Sequence, residues 1–233
     1  MPNNYGPRIV TDGLVLCLDA ANPKSYPGSG TVWTDLSRNG NHVNLVNGPT
    51  FSSENRGCFI FDGTNDYGAT SSAPTLNMGG KSFTGEVWIK VTNFSGNERM
   101  VFEYNAWSST NVYQLSLIGG NTIRVNFVNS NSAGKWLDYA YTPLTTNIWL
   151  HIVGQFDTVN NNFNLYINGS SVAQVTAVTQ EISSATSALY VGSRGGSQLF
   201  LACTIGALKM YDRALSATEI LQNYNATKGR FKL

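Results

Sequence analysis

The chain has 233 residues, only 12% of them charged, with 15 Lys and Arg set against 14 Asp and Glu. That length fits one large all-β sandwich or two small domains, and the near-balanced charge leaves no basic stripe for gripping phosphates, which argues against nucleic acid as a partner. No apolar run approaches the roughly 20 residues that span a bilayer, so no membrane helix is expected.

The opening Met-Pro-Asn-Asn-Tyr-Gly-Pro-Arg has two prolines and no apolar signal core, so residues 1–12 read as an arm without a classical secretion signal. Gly13 to Ala20 is an apolar strand, and Asn22 to Gly30 is a Pro-, Gly- and Ser-rich loop. Trp33 to Asn44 is turn-laden. Leu45 to Phe51 is broken by Asn47-Gly48-Pro49, which allows only short strands there. Cys58 to Thr70 runs from an apolar strand through Asp-Gly-Thr-Asn-Asp to Tyr67, a hairpin-like bend built from residues that tolerate left-handed backbone.

Further on, Phe83, Val87 and Ile89 alternate with Thr84, Glu86 and Trp88, the period of a strand, and Arg99 to Tyr104 continues it. Tyr113, Leu115 and Leu117 face one way, as do Ile123, Val125 and Phe127, with Gly119-Gly120-Asn121 as the hairpin turn between them. Trp149 to Phe156 and Phe163 to Ile167 are two more strands, and Asn168-Gly169 turns tightly into Val172 to Val175. Leu189 to Gly192 and Leu199 to Tyr211 complete the sheets. The single helix starts at a capping box, Ser216-Ala-Thr-Glu219, with Ile220, Leu221 and Tyr224 as its apolar face, and residues 229–233 read as a tail. The expected fold is all-β: one antiparallel two-sheet sandwich over residues 13–228, with one short C-terminal helix.

Three cysteines, Cys17, Cys58 and Cys203, each sit in an apolar strand-like run. Buried free thiols in a reducing cytoplasm are expected. Spacing alone cannot choose a pair should one disulfide form.

Several segments then carry a family resemblance. Phe61-Asp-Gly-Thr-Asn-Asp-Tyr67, Ser82-Phe-Thr-Gly-Glu-Val-Trp-Ile-Lys90, Trp149-Leu-His-Ile-Val, Leu165-Tyr-Ile-Asn-Gly and Ile205-Gly-Ala-Leu-Lys-Met-Tyr-Asp-Arg-Ala-Leu-Ser resemble the concanavalin A-like jelly roll. The nearest branch is the laminin G-like one, through its FDGxNDY and YxRALSxxEI patterns. This resemblance covers residues 13 to 226. The opening Gly13-Leu-Val-Leu-Cys-Leu-Asp-Ala-Ala-Asn-Pro-Lys-Ser-Tyr26 and the ending Gln222-Asn-Tyr-Asn-Ala-Thr-Lys-Gly-Arg-Phe are similar to laminin G-like structural proteins in the virions of tailed, especially marine, bacteriophages. The resemblance implies a non-enzymatic decoration or adhesion module on capsid or tail, folded in the host cytoplasm and resident in the virion. Its partners would be other virion proteins, host-surface glycans and further copies of itself. The alternatives are a free lectin-like carbohydrate-binding module and, third, a glycoside hydrolase.

A hydrolase of this fold would place two carboxylates on one strand, but Glu86, Glu103, Glu181 and Glu219 are isolated in sequence, so no catalytic residues are expected. Neither His42, in a turn, nor His151, on a strand, has zinc-ligand or triad spacing. Asp62, Asn65 and Asp66 offer three oxygen ligands in one bend, a candidate calcium site that laminin G-like relatives make plausible. The same residues also suit a turn whose side chains serve backbone N–H groups. Trp107, in a polar loop, and Trp136, Tyr139 and Tyr141 are the candidate glycan-stacking or interface aromatics, with core packing as the alternative for each. Tyr139 and Tyr141 share a strand face.

Overall fold

A computed structural model describes residues 8–91, 98–105, 112–128, 134–145, 147–178, 184 and 186–233. In chain order its strands are β1 (Leu14–Asp19), β2 (Val32–Trp33), β3 (Val43–Val46), β4 (Thr50–Ser52), β5 (Cys58–Asp62) and β6 (Tyr67–Ala69). The long central strands follow as β7 (Phe83–Val91), β8 (Glu98–Tyr104), β9 (Val112–Ile118), β10 (Thr122–Val128) and β11 (Gly134–Ala140). After β12 (Trp149–Asp157), β13 (Asn162–Ile167), β14 (Ser170–Val175), β15 (Leu189–Val191) and β16 (Ala202–Tyr211) comes one helix, α1 (Ala217–Thr227).

The strands form two antiparallel sheets packed face to face. One runs β14-β13-β12-β7-β16-β5-β4, with β1 also on β16. The other runs β11-β10-β9-β8-β15-β6-β3-β2. The expected sandwich with one short helix is the observed fold. Strand β16 is long enough to pair with β5 through Ala202–Ile205 and with β1 through Ala207–Tyr211 on the same side. Alternation sends Phe83, Ile89, Phe102, Tyr113, Phe127, Phe156 and Phe163 into one core between the sheets. Cross-strand partners Gly85 and Gly154 face that core where the sheets approach closely: a Cβ would lie 2.6 Å from Phe102 and 2.8 Å from Val125 of the opposite sheet.

The hairpins at Gly119-Gly120-Asn121 and Asn168-Gly169 form where expected, the second with positive φ at both residues, 52° and 79°. The bend after β5 differs from expectation: β5 belongs to the first sheet and β6 to the second, so residues 63–66 carry the chain between the two layers and no hairpin forms. All three cysteines are buried and free, as expected.

Both flanks of the sandwich are tied down. Ser216 accepts from the Glu219 N–H, and the Glu219 carboxylate accepts from the Ser216 N–H, the reciprocal cap read from the sequence. The helix buries Ile220 and Asn223, while Leu221, expected on the apolar face, is 45% exposed. Asn223 takes the inward place because buried polar groups await it. Its Oδ1 accepts from the Val10 N–H at 2.8 Å, and its Nδ2 donates to Glu86 at 2.8 Å and to the Tyr211 hydroxyl at 3.0 Å. Thus Val10, in the supposed arm, is buried against the helix. The supposed tail is also docked. Phe231 stacks on Trp88 at 4.1 Å and meets Trp149 at 4.6 Å, and Arg230 donates to the carbonyls of Asn55, Gly57 and Gly206.

Candidate functional site

In the oxygen-rich bend, one oxygen of each carboxylate is engaged by backbone N–H groups. Asp62 Oδ1 accepts from the N–H groups of Thr64 at 2.7 Å, Asn65 at 3.3 Å and Asp66 at 3.4 Å, while Asp66 Oδ2 accepts from the Asp62 N–H at 3.1 Å. The amide of Thr64, joined by those of Asn65 and Asp66, holds the Asp62 carboxyl below its ordinary range, and burial raises that of Asp66. Asn65 contributes its backbone carbonyl to Asn47. Here the carboxylates close the crossing between the sheets, the turn chemistry that rivalled calcium in the sequence.

Of the four aromatic candidates, Trp107 lies outside the described residues. The other three are on or just after β11, the edge of the second sheet, and pleating divides them. Tyr139 pairs with Ile123 and is half-buried against the core, joined by Tyr141 at 6.5 Å. Trp136 points the other way, outward, and is 54% exposed. Its ring lies 5.6 Å from the Arg124 guanidinium, which is held by a two-pronged ion pair to Asp138, both contacts at 2.6 Å. Arg124 and Asp138 are cross-strand partners on the same outer face. The result is a fixed aromatic plate flanked by a planar donor and a carboxylate.

Next to this plate runs a row that the sequence did not suggest. Trp136 pairs with Asn126, Asn126 with Gln114, Gln114 with Glu103, and Glu103 with Tyr190 across five adjacent strands. Directly opposite residues share a face, and at about 4.8 Å per strand the row is about 19 Å long. Glu103, Gln114 and Asn126 are 0%, 1% and 4% exposed. Beside them, Glu98 accepts from Gln114 at 3.2 Å, Ser116 at 2.8 Å and Arg194 at 2.8 Å.

Arg194 links the two acids, with its Nε 3.5 Å from Glu103. Burial pushes the Glu103 carboxyl up to about 7 against the pull of that guanidinium and the nearby Gly195 N–H, yet neither Glu103 oxygen reaches hydrogen-bond geometry. Glu98 and Glu103 are five residues apart and should face opposite ways in a regular strand. A bulge between Met100 and Phe102 puts both on the outer face. Such a bulge has no signature in the residue pattern, which is why the pair was missed.

A guanidinium between two carboxylates is a structural ion cluster, unlike the open acid and nucleophile of a glycosidase, which must both reach a substrate. On the first sheet, Glu86, Lys209 and His151 form a second buried polar cluster beneath α1. Burial disfavours the Glu86 charge, but the Lys209 ammonium and His151 outweigh it and hold the carboxyl well below its ordinary range. His151 is fully buried, as a packed residue, and His42 is exposed. Among the described residues no three His, Cys, Asp or Glu side chains gather as a metal site, and no helix is long and apolar enough to cross a membrane.

A family model of laminin G type, described as the concanavalin A-like lectin/glucanases superfamily, matches residues 62–221. No curated protein sequence matches the chain. Among solved structures, the binding domain of botulinum neurotoxin serotype G is similar with TM-score 0.72 and 19% identity, over 91% of this chain and 50% of that one. The binding domain of Paraclostridial Mosquitocidal Protein 1 gives 0.73 and 18%, over 93% and 52%. The ligand-binding domain of botulinum neurotoxin serotype D, in complex with N-acetylneuraminic acid, gives 0.73 and 16%, over 92% and 51%. At such identities the likeness establishes the fold alone, and the chain spans about half the length of each.

Proposed function

The chain belongs to the concanavalin A-like lectin/glucanase superfamily, and from that premise we propose that it is a non-enzymatic module binding surface glycans on the outer face of its second sheet. The observation that carries this reading is Trp136, a large aromatic left 54% exposed beside the fixed Arg124–Asp138 pair. An open ring offers the apolar face of a sugar a stacking surface, while the adjoining charged groups can bond its hydroxyls. The ion cluster of Glu98, Arg194 and Glu103 supports a binding role over hydrolysis, because among the described residues the two acids brought together on this face are clamped by one guanidinium. The setting in this reading is the virion of a tailed bacteriophage, on capsid or tail, supported by the resemblance of both sequence ends. A free lectin-like module would use the same face.

A glycan array probed with the wild-type chain and with Trp136→Ala tests the binding role. Binding by wild type should fall at least about tenfold in the variant, equivalent to about 1.4 kcal/mol, with the melting temperature nearly unchanged because the ring is half in water. Equal binding by both proteins would refute the assignment to Trp136, and no binding to any glycan would refute the function. Release of reducing ends from a bound polysaccharide would overturn the non-enzymatic reading.

A further inference from the structure

We propose that the row beside Trp136 holds a hard divalent cation, best matched by Ca²⁺, between Glu103, Gln114 and Asn126. These residues are successive cross-strand partners on β8, β9 and β10, so their side chains rise side by side from one face of the sheet. All three are more than nine-tenths buried, and four of their oxygens make no hydrogen bond: both of Glu103, Oε1 of Gln114 and Oδ1 of Asn126. Buried acceptors are seldom left so. Turning the Gln114 amide over gives no remedy, because its Nε2 is committed to Glu98 and fixes which way Oε1 points.

The charges agree with the geometry. Among the described residues, Glu98 and Glu103 share the single guanidinium of Arg194, and the neighbouring Arg124 is engaged by Asp138. With both acids ionised, one negative charge is left over in a buried place, where charges are ordinarily paired or bound to a metal. A group that completes four acceptors and also supplies positive charge is a cation.

Its class follows from the donors. They are one carboxylate and two amide carbonyls, with no imidazole or thiolate, a set that suits calcium or magnesium and disfavours zinc. Calcium tolerates irregular oxygen shells completed by water, whereas magnesium demands near-octahedral geometry. This place is distinct from the Asp62–Asp66 bend, whose carboxylates already serve backbone amides.

The test is calorimetric titration of the chelator-stripped chain with calcium chloride and with magnesium chloride, alongside thermal melts in each salt. One calcium per chain should bind and raise the melting temperature, with magnesium weaker. Glu103→Gln should weaken calcium by at least about tenfold, a loss that removing even an outer partner of a metal ligand can cause. Asp62→Asn should leave it unchanged. Should Glu103→Gln fail to fold, terbium luminescence sensitised through Trp136 in the wild-type chain reports the same site, since Trp136 is the cross-strand partner of Asn126. Neither heat nor a melting shift at millimolar calcium would overturn the proposal, leaving ordered water to complete the acceptors. Binding that survives Glu103→Gln, or is lost in Asp62→Asn, would overturn it by placing the ion elsewhere.

Discussion

Replacing Lys209 by methionine removes the charge that keeps Glu86 ionised while roughly preserving the volume of the side chain. Glu86 is 1% exposed and Lys209 3%. Once the ammonium is gone, the carboxylate retains only Asn223 Nδ2 at 2.8 Å and His151 Nε2 at 3.7 Å. Breaking a buried pair from one side costs about 3–5 kcal/mol, because an uncompensated charge stays behind. For a chain of this size that corresponds to a melting temperature lower by about 6–20 °C. The pH dependence gives a second readout. In the wild type the Glu86 pKa is depressed in the folded state, so its contribution is complete above the ordinary value of 4.5 and fades only as pH falls below that toward the folded value. In the variant, burial is opposed only by Asn223 and His151 and should raise the folded pKa, so mild acid should protonate Glu86 and recover stability. Urea unfolding near neutrality and near pH 5 should therefore show the gap between the two proteins narrowing in acid. Adding Glu86→Gln to the variant should restore about 1–3 kcal/mol, the size of coupling between touching residues. A loss below about 1 kcal/mol at neutral pH, or a gap that widens in acid, would refute the reasoning.

Two further perturbations probe the packing. Phe231→Ala should cost about 3–5 kcal/mol and shift tryptophan emission to the red as water reaches Trp88 and Trp149, whereas a loss under about 1 kcal/mol would mean that the terminal segment adds little to the fold. Gly154→Ala should cost about 1–3 kcal/mol by overpacking, since the new methyl meets Val125 at 2.8 Å, and Val125→Ala in the same chain should recover part of it in thermal melts; no rescue would place the strain elsewhere.

The sandwich was legible because its strands alternate cleanly and its turns carry Gly and Asn where positive φ is required, as at Asn168-Gly169. Interlayer connectivity was not legible. The residues of the 62–66 bend serve a hairpin and a crossing between sheets equally well, and only the distant partners of β5 and β6 decide between them. For the aromatics, alternation placed Tyr139 and Tyr141 on one face but could not say which face was inward, a matter settled by pairing with Ile123. Glu98 and Glu103 were hidden by the bulge at Val101, which changes the parity of every residue beyond it. Asn223 lay outside any apolar pattern because its burial answers the needs of Glu86 and Val10, far away in sequence.

The pairing of β1 with the far half of β16 has a consequence for how the chain is made. Leu14 finds Tyr211, about 200 residues later, so a ribosome adding roughly 5–20 residues per second leaves Leu-Val-Leu-Cys-Leu without its partner for about 10–40 s. Few contacts are more non-local, and such topologies fold slowly. During that interval an apolar, β-prone segment is exposed with both edges open. Nascent chains of this protein should therefore depend on a holding chaperone until their last strand emerges.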